Sequence, residues 1–143
     1  MTPHHIALVQ DSFARVLPIQ EAAARLFYGR LFEIAPDSRV LFRGDMRHQG
    51  AKLMAALDVV VRGLTDLAPL LPTIDALARR HADYGVVDRH YYAVGAALLW
   101  TLEQGLGSAF TPDVRAAWTE AYGLLSTRMI AAAHEAGAVA SAA

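Results

Sequence analysis

The sequence predicts an all-α fold of about six to eight helices in a single domain. Three observations predict it. Apolar residues recur three and four positions apart along nearly the whole chain. Prolines and glycines fall at the ends of those periodic runs rather than inside them. No stretch alternates apolar and polar residues for long enough to make a convincing strand.

Each element can be justified in turn. Ile6, Val9, Phe13 and Val16 form a first stripe, preceded by Thr2-Pro3, a capping hydroxyl before a proline at the first helical position. Ile19, Ala23, Leu26, Arg30 and Ile34 form a second; Arg30 interrupts it and Phe27 and Leu31 repair it alongside. The connection "EIAPDSRVLFRGDMR" has room for a short helical turn at most, yet carries Phe42. Leu53, Leu57, Val60 and Leu64 form the third stripe, with Gly63 as its stop. "GLTDLAPLLPTI" is apolar but broken by Pro69 and Pro72. Connections that hold large apolar residues usually cover something. Ile74, Leu77 and His81 share a face in the run that Gly85 closes. Asp88 can cap the next helix, whose stripe is Val94, Leu98, Thr101 and Leu102 and whose stop is Gly107. Thr111-Pro112 opens the last run, Val114, Trp118, Ala121, Leu125, Met129 and Ala132. Residues 135–143, ending "AGAVASAA", read as a loose tail to one domain spanning 1–143.

Composition narrows the functions. Apolar residues make up 55% and charged ones 19%, which excludes disorder. A formal charge of −1 gives no electrostatic case for nucleic acid or an anionic membrane. The absence of cysteine excludes disulfides, thiolate ligands and covalent haem attachment, and fits a reducing, cytoplasmic compartment. The start shows no secretory signal pattern, and the longest weakly charged run, "YYAVGAALLWTL", has 12 residues where a membrane helix needs about 20.

No zinc, calcium, nucleophile-elbow or phosphate-binding motif is present. The residue out of place is His81, an imidazole at a core-facing position. It reads either as a core histidine with one ring nitrogen hydrogen-bonded, or as a metal ligand. A single histidine holds one metal firmly only if a macrocycle supplies the other ligands, as in haem. His4, His5 and His134 lie near the ends and read as solvated; His48 and His90 stay open.

Five segments in this order and spacing, "LFYGRLFEIAPDSRVLF" (26–42), "HQGAKLM" (48–54), "ARRHADYGV" (78–86), "HYYAVGAALLWTL" (90–102) and "AWTEAYGLL" (117–125), resemble the globins. The chain is most similar to flavohaemoglobin-type single-domain bacterial globins, the Hell's Gate globin kind included. The resemblance implies a three-on-three helical sandwich around one non-covalent haem b. It implies that His81 is the proximal iron ligand, its second ring N–H held by the Leu77 carbonyl. It implies that Tyr28 and Gln49 donate hydrogen bonds to a bound gas against which Leu53 presses, and that Phe42 wedges on the haem. Tyr91 stands at the proximal tyrosine position. Lys52 either reaches a haem propionate or is an ordinary exposed lysine. In the family a glutamate on the last helix often accompanies that tyrosine; here Ala133 occupies its place and Glu135 lies about 200° away around the helix.

The implied function is reversible binding of molecular oxygen, for storage, transport or sensing, with NO and CO as further ligands. The alternative is nitric oxide dioxygenase activity, which at 143 residues implies electrons from a separate reductase. The oligomeric state stays open.

Overall fold

A computed structural model describes residues 1–142, with side chains through residue 137. Six α-helices make up the fold: α1 (Pro3–Val16), α2 (Gln20–Ile34), α3 (Met46–Arg62), α4 (Leu71–Asp83), α5 (Asp88–Leu106) and α6 (Pro112–Ala142). Among the described residues there is no strand.

The caps follow the sequence with one exception. Thr2 Oγ1 accepts from His5 N at 3.1 Å, and Thr111 Oγ1 from Val114 N at 3.2 Å. Gly85 and Gly107 leave α4 and α5 at φ values of 99° and 56°, where a side chain would be strained. The exception is α5. Its N-cap is Val87, not Asp88, and the backbone N–H of Val87 donates to His90 Nδ1 at 3.0 Å. Asp88 instead takes the first helical position, where its charge favours the helix dipole.

The connections are more ordered than their sequence suggests. Pro36–Leu41 is a 3₁₀ segment, and residues 63–65 and 68–70 form two further 3₁₀ turns. Pro72 opens α4 instead of breaking it, since a proline in the first helical turn removes no hydrogen bond. Residues 135–142, which read as a loose end, continue α6 as helix; residue 143 lies outside the described residues. His5, which reads as solvated, bonds Glu120 at 2.7 Å, tying α1 to α6. His134 is exposed but pairs with Asp88 at 2.9 Å.

α2 crosses α5, α1 and α4 both pack on α6, and α3 rests on α2. α3 and α4 share no extensive contact. The core is accordingly in two parts. One gathers Val9, Phe13, Phe27, Tyr28, Leu31, Met54 and Trp118. The other holds Ile74, Ala78, Tyr91, Met129 and Ala132. The α2–α3 crossing is close because Gly50 lies on Ala24: a Cβ at position 50 would come within 2.8 Å of the Ala24 Cβ.

That crossing yields a paired prediction. Gly50→Ala should destabilise the fold by about 1–3 kcal/mol, because neither methyl can turn aside. Gly29→Ala, with nothing within 4 Å of the added carbon, should stabilise by about 0.5–1 kcal/mol. Urea denaturation checks both; equal effects would show that the helices do not cross at Gly50.

Candidate metal centre

The site forms where the two parts of the core fail to meet. Phe42 and Leu53 pack on the first part, Leu77 on the second. Each occupies an apolar position of its element, yet these three and His81 are only half-buried. The polypeptide leaves their apolar surface uncovered. A small gap lined by Leu57, Val60, Leu98 and Leu125 continues the α3 stripe inward without including His81.

His81 stands in the last turn of α4. Its Nδ1 lies 2.8 Å from the Leu77 carbonyl oxygen, one helical turn back. A carbonyl only accepts, so Nδ1 carries the proton and Nε2 keeps its lone pair. Burial holds the imidazole pKa below its ordinary value, the Leu77 bond pulling the other way and the Arg80 charge adding to the fall. The ring stacks against Tyr91 with centroids 6.5 Å apart and planes 23° from parallel. The Tyr91 hydroxyl is buried and has no hydrogen-bond partner. Burial, then the charge of Asp88, raises the pKa of that phenol. The Tyr122 hydroxyl donates to the Tyr91 backbone carbonyl at 2.5 Å and holds this part of α5 against α6. Glu135 is exposed.

Tyr28, on α2, is buried within an aromatic cluster. Its ring meets Phe42 edge-on at 5.0 Å and Phe27 at 5.1 Å, and Phe32 lies 5.8 Å from Phe42. The Tyr28 hydroxyl donates to the backbone carbonyl of Gln49 at 3.3 Å, a long bond. The Gln49 side chain donates instead to the Arg43 carbonyl at 3.1 Å. The structure therefore brings Tyr28 and Gln49 together through the Gln49 backbone, not through its amide. Lys52 and His48 are exposed, and Lys52 makes no ion pair among the described residues.

One polar corner escapes the sequence reading. Buried His90 bonds Asp37 Oδ2 at 3.2 Å through Nε2, and Arg89 reaches the same oxygen at 2.8 Å. The Arg89 hydrogen bond first, then that of His90, holds the Asp37 carboxyl below its usual range. This corner ties the 3₁₀ segment before Phe42 to the start of α5. Its only sequence signal is a histidine at the third helical position, where a ring nitrogen can cap.

No group of three or more His, Cys, Asp or Glu side chains could hold a bare metal ion among the described residues. One imidazole with a free Nε2, uncovered apolar faces on two sides and an unpartnered buried phenol beside the ring fit a flat macrocyclic metal group such as haem.

The globin family model matches residues 25–129. The flavohemoprotein of Chromobacterium violaceum is 36% identical over 107 residues, 73% of this chain and 26% of that protein. That of Rhodopirellula baltica is 31% identical over 124 residues, 85% of this chain and 30% of that protein. The chain thus spans between a quarter and a third of these relatives. A solved structure of an engineered carbene transferase from Rhodothermus marinus, provisionally described as a nitric oxide dioxygenase, superposes with a TM-score of 0.88 at 27% identity and covers 99% of each chain. The chain belongs to the globin family, and its fold is the globin fold. Among the described residues no helix is long and apolar enough to cross a membrane.

Burial raises the Tyr28 phenol pKa from 10.0 to about 12. The stability tied to the neutral phenol is complete below the ordinary value and drains away as pH climbs to about 12. Subtracting the 295 nm titration of Tyr28→Phe from that of the parent should leave a phenolate step near the upper end of that range. A step at the ordinary value would place Tyr28 in solvent.

Proposed function

We propose that this globin binds one haem b non-covalently through His81 and takes up molecular oxygen reversibly. The observation that carries the reading is the His81 ring, with Nδ1 tied to Leu77 and the Nε2 lone pair left for a metal beside an uncovered apolar surface. Haem, when bound, would supply the iron that takes up a diatomic gas.

The chain's own residues then do four things. His81 Nε2 holds the iron, and the Leu77 carbonyl fixes the tautomer that makes this possible. Leu53, Leu77 and Phe42 exclude water from the faces of the group. Tyr28 would have a hydroxyl proton to offer a bound gas, since its 3.3 Å bond to the Gln49 carbonyl is little to lose. The Gln49 amide can follow by leaving the Arg43 carbonyl. Ordinary packing accounts for Phe42 and ordinary exposure for Lys52, so neither carries the assignment.

Nitric oxide dioxygenase activity is the second reading. The Rhodothermus marinus structure favours it, since that protein is matched along 99% of both chains. The same pocket serves this chemistry once a reductase supplies electrons.

Two measurements test the primary reading. The purified, haem-supplied protein should show a Soret band that His81→Ala weakens or loses and that added imidazole restores; an unchanged pigment in His81→Ala would sink the proposal. Tyr28→Phe should raise the oxygen off-rate roughly tenfold or more, since a hydrogen bond to a charged acceptor contributes about 1.5–3 kcal/mol. Stopped-flow off-rates equal to the parent's would remove Tyr28 from the ligand's side.

A further inference from the structure

The charges of this nearly neutral chain are unevenly placed. Segments 37–52 and 79–89 hold seven of the thirteen basic residues and four of the fourteen acidic ones. The rest of the chain holds six basic and ten acidic residues. The fold brings the two segments together: Arg89 and His90 bond Asp37, and the Leu41 side chain lies 3.5 Å from where a Cβ of Gly85 would sit. Their local acids are largely spent. Asp37 pairs with Arg89, Asp45 accepts from Arg47 N as the α3 cap, and Asp88 pairs with His134. Arg47 reaches Glu21 at 3.9 Å. What remains is Arg39, Arg43, Lys52, Arg79 and Arg80 against one acid, Asp83, all exposed and in no ion pair among the described residues; Arg39 also lies 5.3 Å over the Phe32 ring.

Apolar residues stand exposed among these arginines. Val40 is 75% exposed, Tyr84 72% and Val87 44%. Tyr84 follows Arg80 by four residues on one face of the α4 end. The patch lies directly beside the candidate metal centre, because Val40 is two residues before Phe42 and Tyr84 three after His81.

We infer that this face is the docking surface for an acidic, electron-donating protein. The inference rests on the haem reading above. Arginines around a few apolar contacts suit a short-lived encounter steered by opposite charge. Such complexes are small, so a modest patch suffices. Position supplies the electron argument: this surface adjoins both Phe42 and the His81 turn, since Leu41 lies against Gly85 and Asp37 bonds Arg89 and His90. One electron passes from the donor's reduced flavin or iron–sulfur centre to oxidised haem iron, which becomes ferrous while the donor loses that electron.

An acidic flavodoxin, photoreduced to its hydroquinone, is the probe. Its second-order rate of reducing the ferric, haem-loaded protein should fall steeply with added salt. The double variant Arg39→Glu/Arg43→Glu should lower that rate roughly tenfold or more, within the range charge steering provides. Tyr84→Ala should weaken the complex seen by NMR shift changes with oxidised flavodoxin, a readout independent of turnover. Arg15→Glu, an exposed charge on α1, is the control and should change neither. All variants should keep the carbon monoxide spectrum after dithionite reduction; loss of that spectrum in the parent would strike the haem reading, not this one. A salt-independent rate, or equal rates for Arg39→Glu/Arg43→Glu and Arg15→Glu, would overturn the docking surface. So would binding confined to anionic vesicles or to a second copy of the chain.

Discussion

The hydrogen bond from His81 Nδ1 to the Leu77 carbonyl decides what the site can be. At 2.8 Å it fixes the proton on one ring nitrogen and leaves the other its lone pair. Two opposing fields act on that ring. It stands in the last turn of α4, where the negative end of the helix dipole favours a charged imidazolium. Burial favours the neutral form, and burial wins: the pKa falls below the ordinary value. The Leu77 bond opposes the fall, yet it is compatible with a neutral ring because one proton satisfies it. Helix continuity is therefore a chemical requirement. Were α4 broken before Leu77, the carbonyl would not stand one turn from the imidazole.

The distal side is built on the opposite logic. There the polar groups are held back by bonds of modest strength. Gly44, at φ 83°, turns the chain so that the Arg43 carbonyl faces the start of α3, where Asp45 caps the helix. The Gln49 amide takes that carbonyl, and the Tyr28 hydroxyl takes the Gln49 carbonyl. A buried phenol without any acceptor costs more than one with a poor acceptor. The long Tyr28 bond meets that need while leaving the proton easy to redirect. The His81 imidazole is held by a short bond and the Tyr28 phenol by a long one, the asymmetry on which the proposed function rests.

The helices were legible because burial imposes a 3.6-residue rhythm, and the stripes around Phe13, Leu31, Leu57, Leu98 and Trp118 obey it. Arg30 broke the rhythm for a reason the sequence hides. Its guanidinium lies 5.3 Å from the Trp100 ring and pairs with Glu33 at the helix surface. The α5 cap misled because Asp88 is a common capping type, whereas the helix starts from Val87, whose backbone N–H donates to the ring of His90 three positions on. The tail misled because small residues signal neither helix nor coil strongly. At the site, spacing put His81 on a core-facing stripe and put Leu77 one turn behind it. Spacing does not say which way a side chain turns when two acceptors are in reach, so the Gln49 amide was read as facing the ligand. Nor does it show that apolar stripes stay uncovered, because that depends on α3 and α4 standing apart.

The proximal surroundings bear on which chemistry the pocket favours. An imidazole whose N–H meets a carboxylate becomes more electron-rich and pushes density towards a bound metal. Here the acceptor is a neutral backbone carbonyl. Nearby, the Tyr91 hydroxyl is buried without a partner, Ala133 offers no oxygen on its side chain, and Glu135 is exposed. Hydrogen bonds to ionised acceptors are roughly twice as strong as those between neutral groups, so the missing charge matters. A weaker push disfavours cleavage of a bound oxygen molecule and favours its release intact. Under the proposed function, the neutral carbonyl that His81 meets would weigh for reversible uptake over peroxidase-like chemistry. It leaves the dioxygenase reading intact, because that reading depends on electron supply at the surface, not on charge beneath the ring.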